Sequence, residues 1–280
     1  MFEKVLFPTD FSEVSMHALR ECIPQLFGVG AKKLYLVHIV DITATDIEAV
    51  ELMKIDEEEL NRIADEIRAK GIDVEPAVKI GIPSLEIAEI AQENNVDLVL
   101  VPSKGENILR QMLLGSTASN LVRATKKPVL LVKYEWDEEE EKIKCLSDCR
   151  EIFKRPIVAL DFSECSEKVL NVVKKFEELI EGITLIHVVD YGRAEELERN
   201  IENAKAKLGE FGKLFKAPVK NEVLTGIASR SILGIALAKD SSIIVMGKKG
   251  RSIIKDLLLG STAERVVRDS KLPVLLVPCE

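Results

Sequence analysis

Residues 257 to 277 read LLLGSTAERVVRDSKLPVLLV, and residues 112 to 132 read MLLGSTASNLVRATKKPVLLV. Of these 21 positions 14 are identical, where chance would supply about one or two, so the chain contains an internal repeat. Fainter echoes extend it upstream in the same order. LFPTDFSE (6–13) answers VALDFSEC (158–165), LVHIVD (36–41) answers LIHVVD (185–190), and Gly81 answers Gly226. The offset falls from 151 at Asp10 and Asp161 to 149 at His38 and His187 and 145 at Gly81 and Gly226. The second copy has therefore lost six residues, mostly around its second helix.

Each copy alternates short Val/Ile/Leu-rich runs with longer stretches whose apolar residues recur every three or four positions, the signature of strands alternating with amphipathic helices. In the first copy the pattern predicts strands near 4–9, 34–40, 73–79, 97–102 and 128–133, and helices near 12–27, 47–70, 84–94 and 116–125. Runs such as LVLV (98–101) and IIVM (243–246) are apolar throughout rather than alternating, which suits parallel strands covered on both faces. The reading is an α/β chain of two repeated, open, doubly wound domains. Its boundaries are 1–134 and 155–280, with 135–154 as an acidic, partly helical linker.

Composition narrows the partners. Lys plus Arg number 39 and Asp plus Glu 47, a formal charge of −8, which argues against a general grip on nucleic acid or an anionic membrane. No apolar run reaches the length of a membrane span, and MFEKVLFPTD has no signal-peptide character, so a cytoplasmic location is expected. The five cysteines are too few and too scattered for a disulfide framework, so reduced thiols are expected. The linker EWDEEEEKIKCLSDCREIFK carries eight acids against four bases, half of the net charge. Ile143, Leu146, Cys149 and Phe153 recur in it at helical spacing, which predicts a short helix with one side against a domain. Cys145 and Cys149 would then lie one turn apart, an incomplete set for a metal, and no metal site is assigned.

The chemistry concentrates in MGKKGRSIIKDLLLGSTAERVV (246–267). Gly247, Gly250 and Gly260 are spaced G-x2-G-x9-G and followed by Ser261 and Thr262. Glycines after a strand let backbone N–H groups approach a ligand, and a helix N-terminus offers unpaired N–H groups and a partial positive charge to an anion such as phosphate. The spacing is neither that of the P-loop nor that of the dinucleotide fingerprint. A purely structural account stands beside this one: Ser261-x-x-Glu264 is a capping box, Asp10-x-x-Glu13 and Asp161-x-x-Glu164 can cap the first helices, and the glycines can simply turn the chain.

At these residues the chain resembles the universal stress protein family. DFS follows the first strand, HV closes the second, G-x2-G-x9-G-[ST] follows the fourth, and PVLLV forms the last; together these cover both copies outside the linker. The resemblance implies a five-stranded parallel sheet in the order 3-2-1-4-5 and an adenine nucleotide (ATP, ADP or AMP) across the first and fourth strands, with Mg2+ as an optional companion of the phosphates. It places Asp161 and Val188 beside the nucleoside and Met246 and Gly247 beside the ribose or first phosphate. Gly250, Gly260, Ser261 and Thr262 would meet the phosphates. In the first copy the matching positions are Asp10, Ile39, Gly105, Gly115, Ser116 and Thr117, but Pro102 stands where the first glycine belongs, without an N–H and with φ fixed. The resemblance also implies pairing through the final strands 128–133 and 273–277, within the chain as a pseudo-dimer or with a second chain as a homodimer.

His17, His38 and His187 read as core or capping groups, since no Ser or Cys stands in a nucleophile motif. The expectation is a stress-linked nucleotide sensor or switch, at most a slow ATPase. The competing reading is an interaction scaffold whose glycines only turn the chain.

Overall fold

The computed structural model describes residues 1–43, 49–103, 115–137, 139–189, 194–250 and 259–279. The chain divides into two compact units, Met1–Cys149 and Arg150–Glu280.

In the first unit the order is β1 (Lys4–Pro8), α1 (Glu13–Gly28), β2 (Lys33–Asp41), α2 (Ala49–Arg68), β3 (Val74–Gly81), α3 (Pro83–Glu93), β4 (Leu98–Pro102), α4 (Ser116–Ala124) and β5 (Val129–Val132). Parallel pairings of β3 with β2, β2 with β1, β1 with β4 and β4 with β5 give the order 3-2-1-4-5. A hairpin, β6 (Tyr134–Asp137) and β7 (Lys142–Cys145), follows.

The second unit repeats the plan with β8 (Pro156–Ala159), α5 (Glu164–Lys174), β9 (Ile183–Val189), α6 (Ala194–Gly212), β10 (Val219–Thr225), α7 (Ala228–Ala238), β11 (Ile243–Gly247), α8 (Ser261–Asp269) and β12 (Val274–Val277). Its parallel order β10-β9-β8-β11-β12 is the same 3-2-1-4-5.

The central strands are buried through their middles, as the unbroken apolar runs require: Leu98 to Leu100 and Ile243 to Val245 are fully enclosed. The outer strands β3 and β10 run mostly through half-buried and exposed positions instead. Right-handed crossovers leading outward from the first strand to the third, then back across to the fourth, put the first two helices of each unit on one face of its sheet and the last two on the other. In keeping with this, α3 packs on α4 and α7 on α8. The turn N-terminal to α1 is secured by Ser12, whose hydroxyl accepts the Ser15 N–H at 3.2 Å. From there Val14, Ala18, Leu19, Cys22, Ile23 and Leu26 face the sheet. Among the described residues no helix is long and apolar enough to cross a membrane.

Two expectations are corrected here. The linker does not form the predicted helix over the residues described: β6 and β7 pair antiparallel, with Tyr134 opposite Cys145 and Trp136 opposite Ile143. Aromatic and β-branched side chains favour the pleated surface, and a block of acids that would repel at i, i+4 on a helix goes into the exposed turn. There the Asp137 carboxylate accepts the N–H groups of Glu140 and Glu139, which holds it below the usual carboxylate range. The helical spacing of Ile143 and Phe153 was coincidental; Phe153 instead packs on Phe176 in the second unit, with ring centroids 4.7 Å apart.

Four of the five cysteines are also paired rather than reduced. Cys22 of α1 bonds Cys149 after the hairpin, and Cys165 in the first turn of α5 bonds Cys279 beyond β12, across sequence separations of 127 and 114. Scatter along the chain concealed proximity that the βα topology creates. Cys145 keeps its thiol, which burial pushes up. Unreduced native protein is therefore expected to take up iodoacetamide slowly at neutral pH, and unfolded unreduced protein to gain one adduct by intact mass. Two or more adducts after unfolding would show that the pairs are not formed.

Candidate functional site

In an open parallel sheet, ligands bind where neighbouring strands leave for opposite faces, outside their carboxyl ends. In the second unit that point lies between β8 and β11, whose last paired residues are Ala159 and Met246. Asp161 follows β8 by two residues, Val188 is the penultimate residue of β9, and Met246 and Gly247 end β11. The sheet thus carries all four to one edge.

Beyond β11 the Lys248 N–H donates to Val277 O at 2.8 Å, and the chain later returns so that the Gly260 N–H donates to Lys248 O at 2.7 Å. Gly260 is the N-cap of α8. A Cβ on Gly260 would lie 3.3 Å from Lys248 O and 3.7 Å from Gly250 N, and one on Gly250 would lie 2.9 Å from Asp161 Oδ2. Asp161, Gly250, Gly260 and the first turn of α8 therefore form one contiguous surface. Residues 251–258, with Arg251 and Lys255, lie outside the described residues.

Two details change the chemical reading. First, Gly247, Gly250 and Gly260 are not in the left-handed region; among the described glycines of this unit that conformation falls to Gly226, at φ 117°. Space, not φ, makes these positions glycine. Second, the Gly260 N–H is already engaged, so it contributes room, and the donors of α8 without an intrahelical acceptor are those of Ser261, Thr262 and Ala263. Ser261 is the first helical residue and makes no capping bond, which removes the capping-box alternative; its side chain is exposed. Neither aspartate is an N-cap. Ser12 and Ser163 hold those positions, and Asp161 Oδ1 instead accepts Ser163 N–H (3.1 Å), Ser163 Oγ–H (2.6 Å) and Ser166 Oγ–H (3.2 Å).

Sequence reasoning missed what supports these aspartates. Phe162 and Phe11, one residue after each, take φ of 61° and 59°, a conformation rare for bulky side chains. Each ring stacks on the histidine of the second strand: Phe162 on His187 with centroids 4.1 Å apart, Phe11 on His38 at 4.4 Å. Each histidine in turn donates Nδ1–H to the carbonyl preceding its aspartate, Leu160 O at 2.7 Å and Thr9 O at 2.9 Å. The recurrence of DFS with a strand histidine in both copies was the available signal. His17 serves elsewhere, with Nδ1 3.2 Å from the Tyr134 hydroxyl, whose own ionisation burial pushes far up.

A pocket of about 470 Å³ adjoins the second-unit surface, lined by Ser261, Thr262 and Arg265 of α8 and by Gly226 to Ser229 at the start of α7. Among the described residues no group of three His, Cys, Asp or Glu is placed to hold a metal.

The first unit keeps the scaffold. Ser103 N–H donates to Val132 O at 2.8 Å and Gly115 N–H to Ser103 O at 2.9 Å, the same return that Lys248 and Gly260 make. Asp10 accepts Ser12 N–H and Oγ–H at 3.1 and 2.5 Å, Ile39 is buried near the end of β2, and Ser116 and Thr117 are exposed in the first turn of α4. Pro102 closes β4 opposite Val132. Gly105 lies outside the described residues.

Comparison with known proteins agrees with this architecture. The profile of the Universal stress protein family matches residues 1–133 and again 153–278. Universal stress protein MJ0577 of Methanocaldococcus jannaschii is 32% identical over 156 residues, 48% of this chain and 96% of its own. The crystal structure of a universal stress protein from Archaeoglobus fulgidus superposes with a TM-score of 0.73 at 25% identity, covering 98% of this chain and 96% of that one. A Pseudomonas aeruginosa structure at 17% identity and TM-score 0.69, covering 99% of this chain and 93% of its own, shares the fold. With the profile spanning each copy in turn, the chain belongs to the universal stress protein family as a tandem of two of its domains.

Proposed function

We propose that the second unit binds an adenine nucleotide and that the protein acts as a stress-linked nucleotide sensor or switch rather than a fast enzyme. The observation that carries this is the meeting of Asp161, the bare backbone of Gly250 and the N-terminus of α8 at the point where β8 and β11 part. A carboxylate there suits sugar or base donors, and the N–H groups of Ser261 to Ala263 with the Ser261 and Thr262 hydroxyls suit phosphate oxygens. Met246 and Val188 would flank the nucleoside. Any Mg2+ would take most of its ligands from phosphates and water, as that ion commonly does. His187, the histidine nearest this edge, is stacked and bonded to Leu160 O, so hydrolysis would proceed slowly for want of a positioned base. Mass spectrometry of small molecules released on denaturation, followed by calorimetry with ATP, ADP and AMP, tests the reading; no nucleotide released and none bound would favour the scaffold. Association with a second copy of the chain belongs to the same proposal, and equilibrium sedimentation reads it.

The two units are expected to differ. From 248 to 259 the sequence has Lys248, Lys249, Arg251 and Lys255 against Asp256, net +3, while 103–114 has Lys104 and Arg110 against Glu106, net +1. Lys248 is buried, which trims the difference. The larger cause is Pro102, which has no N–H and a fixed φ where the second unit has Gly247. Calorimetry on the intact chain should resolve two sites, the second unit holding ATP about tenfold more tightly. Gly115→Val should remove only the weaker site; equal affinities would show that Pro102 has been misread.

A further inference from the structure

The Cys165–Cys279 pair lies directly against the loop just described. A Cβ on Gly247 would fall 2.5 Å from Cys165 Sγ and 3.3 Å from Cys279 Sγ, so the two sulfurs fill the space over the last residue of β11. The Lys249 N–H points at Cys279 Sγ at 3.4 Å, and the Lys249 carbonyl oxygen is 3.5 Å from the same sulfur. The Lys168 ammonium donates to Cys279 O at 2.9 Å, tying the segment after β12 to α5. Lys249 stands between Gly247 and Gly250, so one disulfide backs the stretch of chain that faces Asp161. The first unit has no counterpart: at the matching offsets of 151 and 145 stand Val14 and Tyr134.

From this geometry we infer that Cys165–Cys279 is a redox-modifiable site that sets the position of the 248–250 loop and, through it, the nucleotide affinity of the second unit. The second half of this inference rests on the function proposed above; the first does not. Cys165 is buried and Cys279 half-buried, so a dithiol reductant enters at Cys279. One thiolate of the reductant attacks Cys279 Sγ, forming a mixed disulfide and releasing Cys165 as the leaving thiolate, which takes up a proton. The second thiolate of the reductant then displaces Cys279, and the reductant departs as a disulfide. Two electrons and two protons end on the two cysteines. The separate thiols cannot remain at bonding distance, and Gly247 blocks Cys165 from retreating toward β11. Cys279 is therefore the group that moves. In the disulfide its sulfur can only accept from the Lys249 N–H, whereas a thiol can also donate to the Lys249 carbonyl. Reduction thus changes both the position and the hydrogen-bonding sense of the group on which Lys249 rests. Disulfides in reducing compartments are typically transient or redox-sensing, the behaviour this placement would exploit.

Hydrogen exchange over residues 246–250 and ATP calorimetry, both on the intact chain in oxidised, dithiothreitol-reduced and reoxidised forms, test the inference. Reduction should speed exchange at 248–250 and weaken ATP binding in the second unit about tenfold, with reoxidation restoring both. Cys279→Ser should show the reduced values under either condition, while Cys22→Ser, which breaks the other pair, should leave the switch intact. Unchanged exchange on reducing the unsubstituted chain overturns the inference outright. Altered exchange with measurable but unchanged ATP affinity overturns the control of binding. Altered exchange with no nucleotide bound in any form upholds the loop coupling and instead refutes the nucleotide reading.

Discussion

Replacing Gly247 by alanine is expected to destabilise the second unit by about 2 to 3 kcal/mol, although only one methyl group is added. The new Cβ would lie 2.5 Å from Cys165 Sγ, 3.0 Å from Lys249 O and 3.3 Å from Cys279 Sγ, where carbon contacts ordinarily settle at about 3.5 to 4.0 Å. None of the three obstacles can swing aside. Two are bonded to each other, and the third is main chain. The strand cannot shift either, because Gly247 is in register with Val277 and its neighbour Met246 with Ala159. Gly209 in α6 is the matched control, since a Cβ there meets nothing within 4 Å. Gly209→Ala should therefore stabilise by about 0.5 to 1 kcal/mol through helix propensity and chain entropy. Calorimetric unfolding of both variants reads the contrast; a Gly247→Ala chain as stable as the parent would show that the sulfur pair does not occupy that space.

The contrast also shows what could and could not be read from residues alone. The repeat, the alternation of strands and helices and the fourth-strand glycines were legible because each leaves a local trace: PVLLV recurs, apolar runs mark covered strands, and G-x2-G-x9-G keeps its spacing; the order 3-2-1-4-5 came only from the resemblance to the family. Why Gly247 is glycine was not legible, because two of the three atoms that crowd it, Cys165 Sγ and Cys279 Sγ, come from α5 and from the segment after β12, 82 and 32 positions away in the chain. The cysteine pairs escaped for the same reason. Separations of 114 and 127 residues carry no local pattern, and only the βα winding makes the partners neighbours. In the linker the error ran the other way: four apolar residues at helical spacing outweighed, on paper, the alternation of Tyr134 and Trp136 that the hairpin uses. The histidines were recognised as structural, yet their task of holding the carbonyl before each aspartate depends on a stacked Phe at positive φ, which no periodicity records.

Gly250→Val is expected to weaken ATP binding in the second unit by a hundredfold or more, about 2.7 kcal/mol, at a smaller cost in thermal stability. Gly250 is exposed, so the methyl groups of the valine extend into solvent and the cost in folding is confined to its Cβ. Its Cβ, however, would lie 2.9 Å from Asp161 Oδ2. That carboxylate is held on its other oxygen by Ser163 N–H, Ser163 Oγ–H and Ser166 Oγ–H, so it cannot turn away without breaking three hydrogen bonds. Two methyl groups would then stand where a ligand must pass between Asp161 and the N-terminus of α8. Ser261→Ala makes the useful comparison. It removes one exposed hydroxyl that caps nothing, worth about 0.5 to 1.5 kcal/mol, so affinity should fall several-fold without a stability change. The order of the two effects carries the argument: if the glycine serves only the chain, Gly250→Val costs stability and spares affinity, and if the aspartate-to-helix surface is the nucleotide site, the loss of affinity exceeds the loss of stability. Calorimetry with ATP beside thermal unfolding of each variant separates the two, and a Gly250→Val protein that binds ATP as the parent does would remove the surface from consideration.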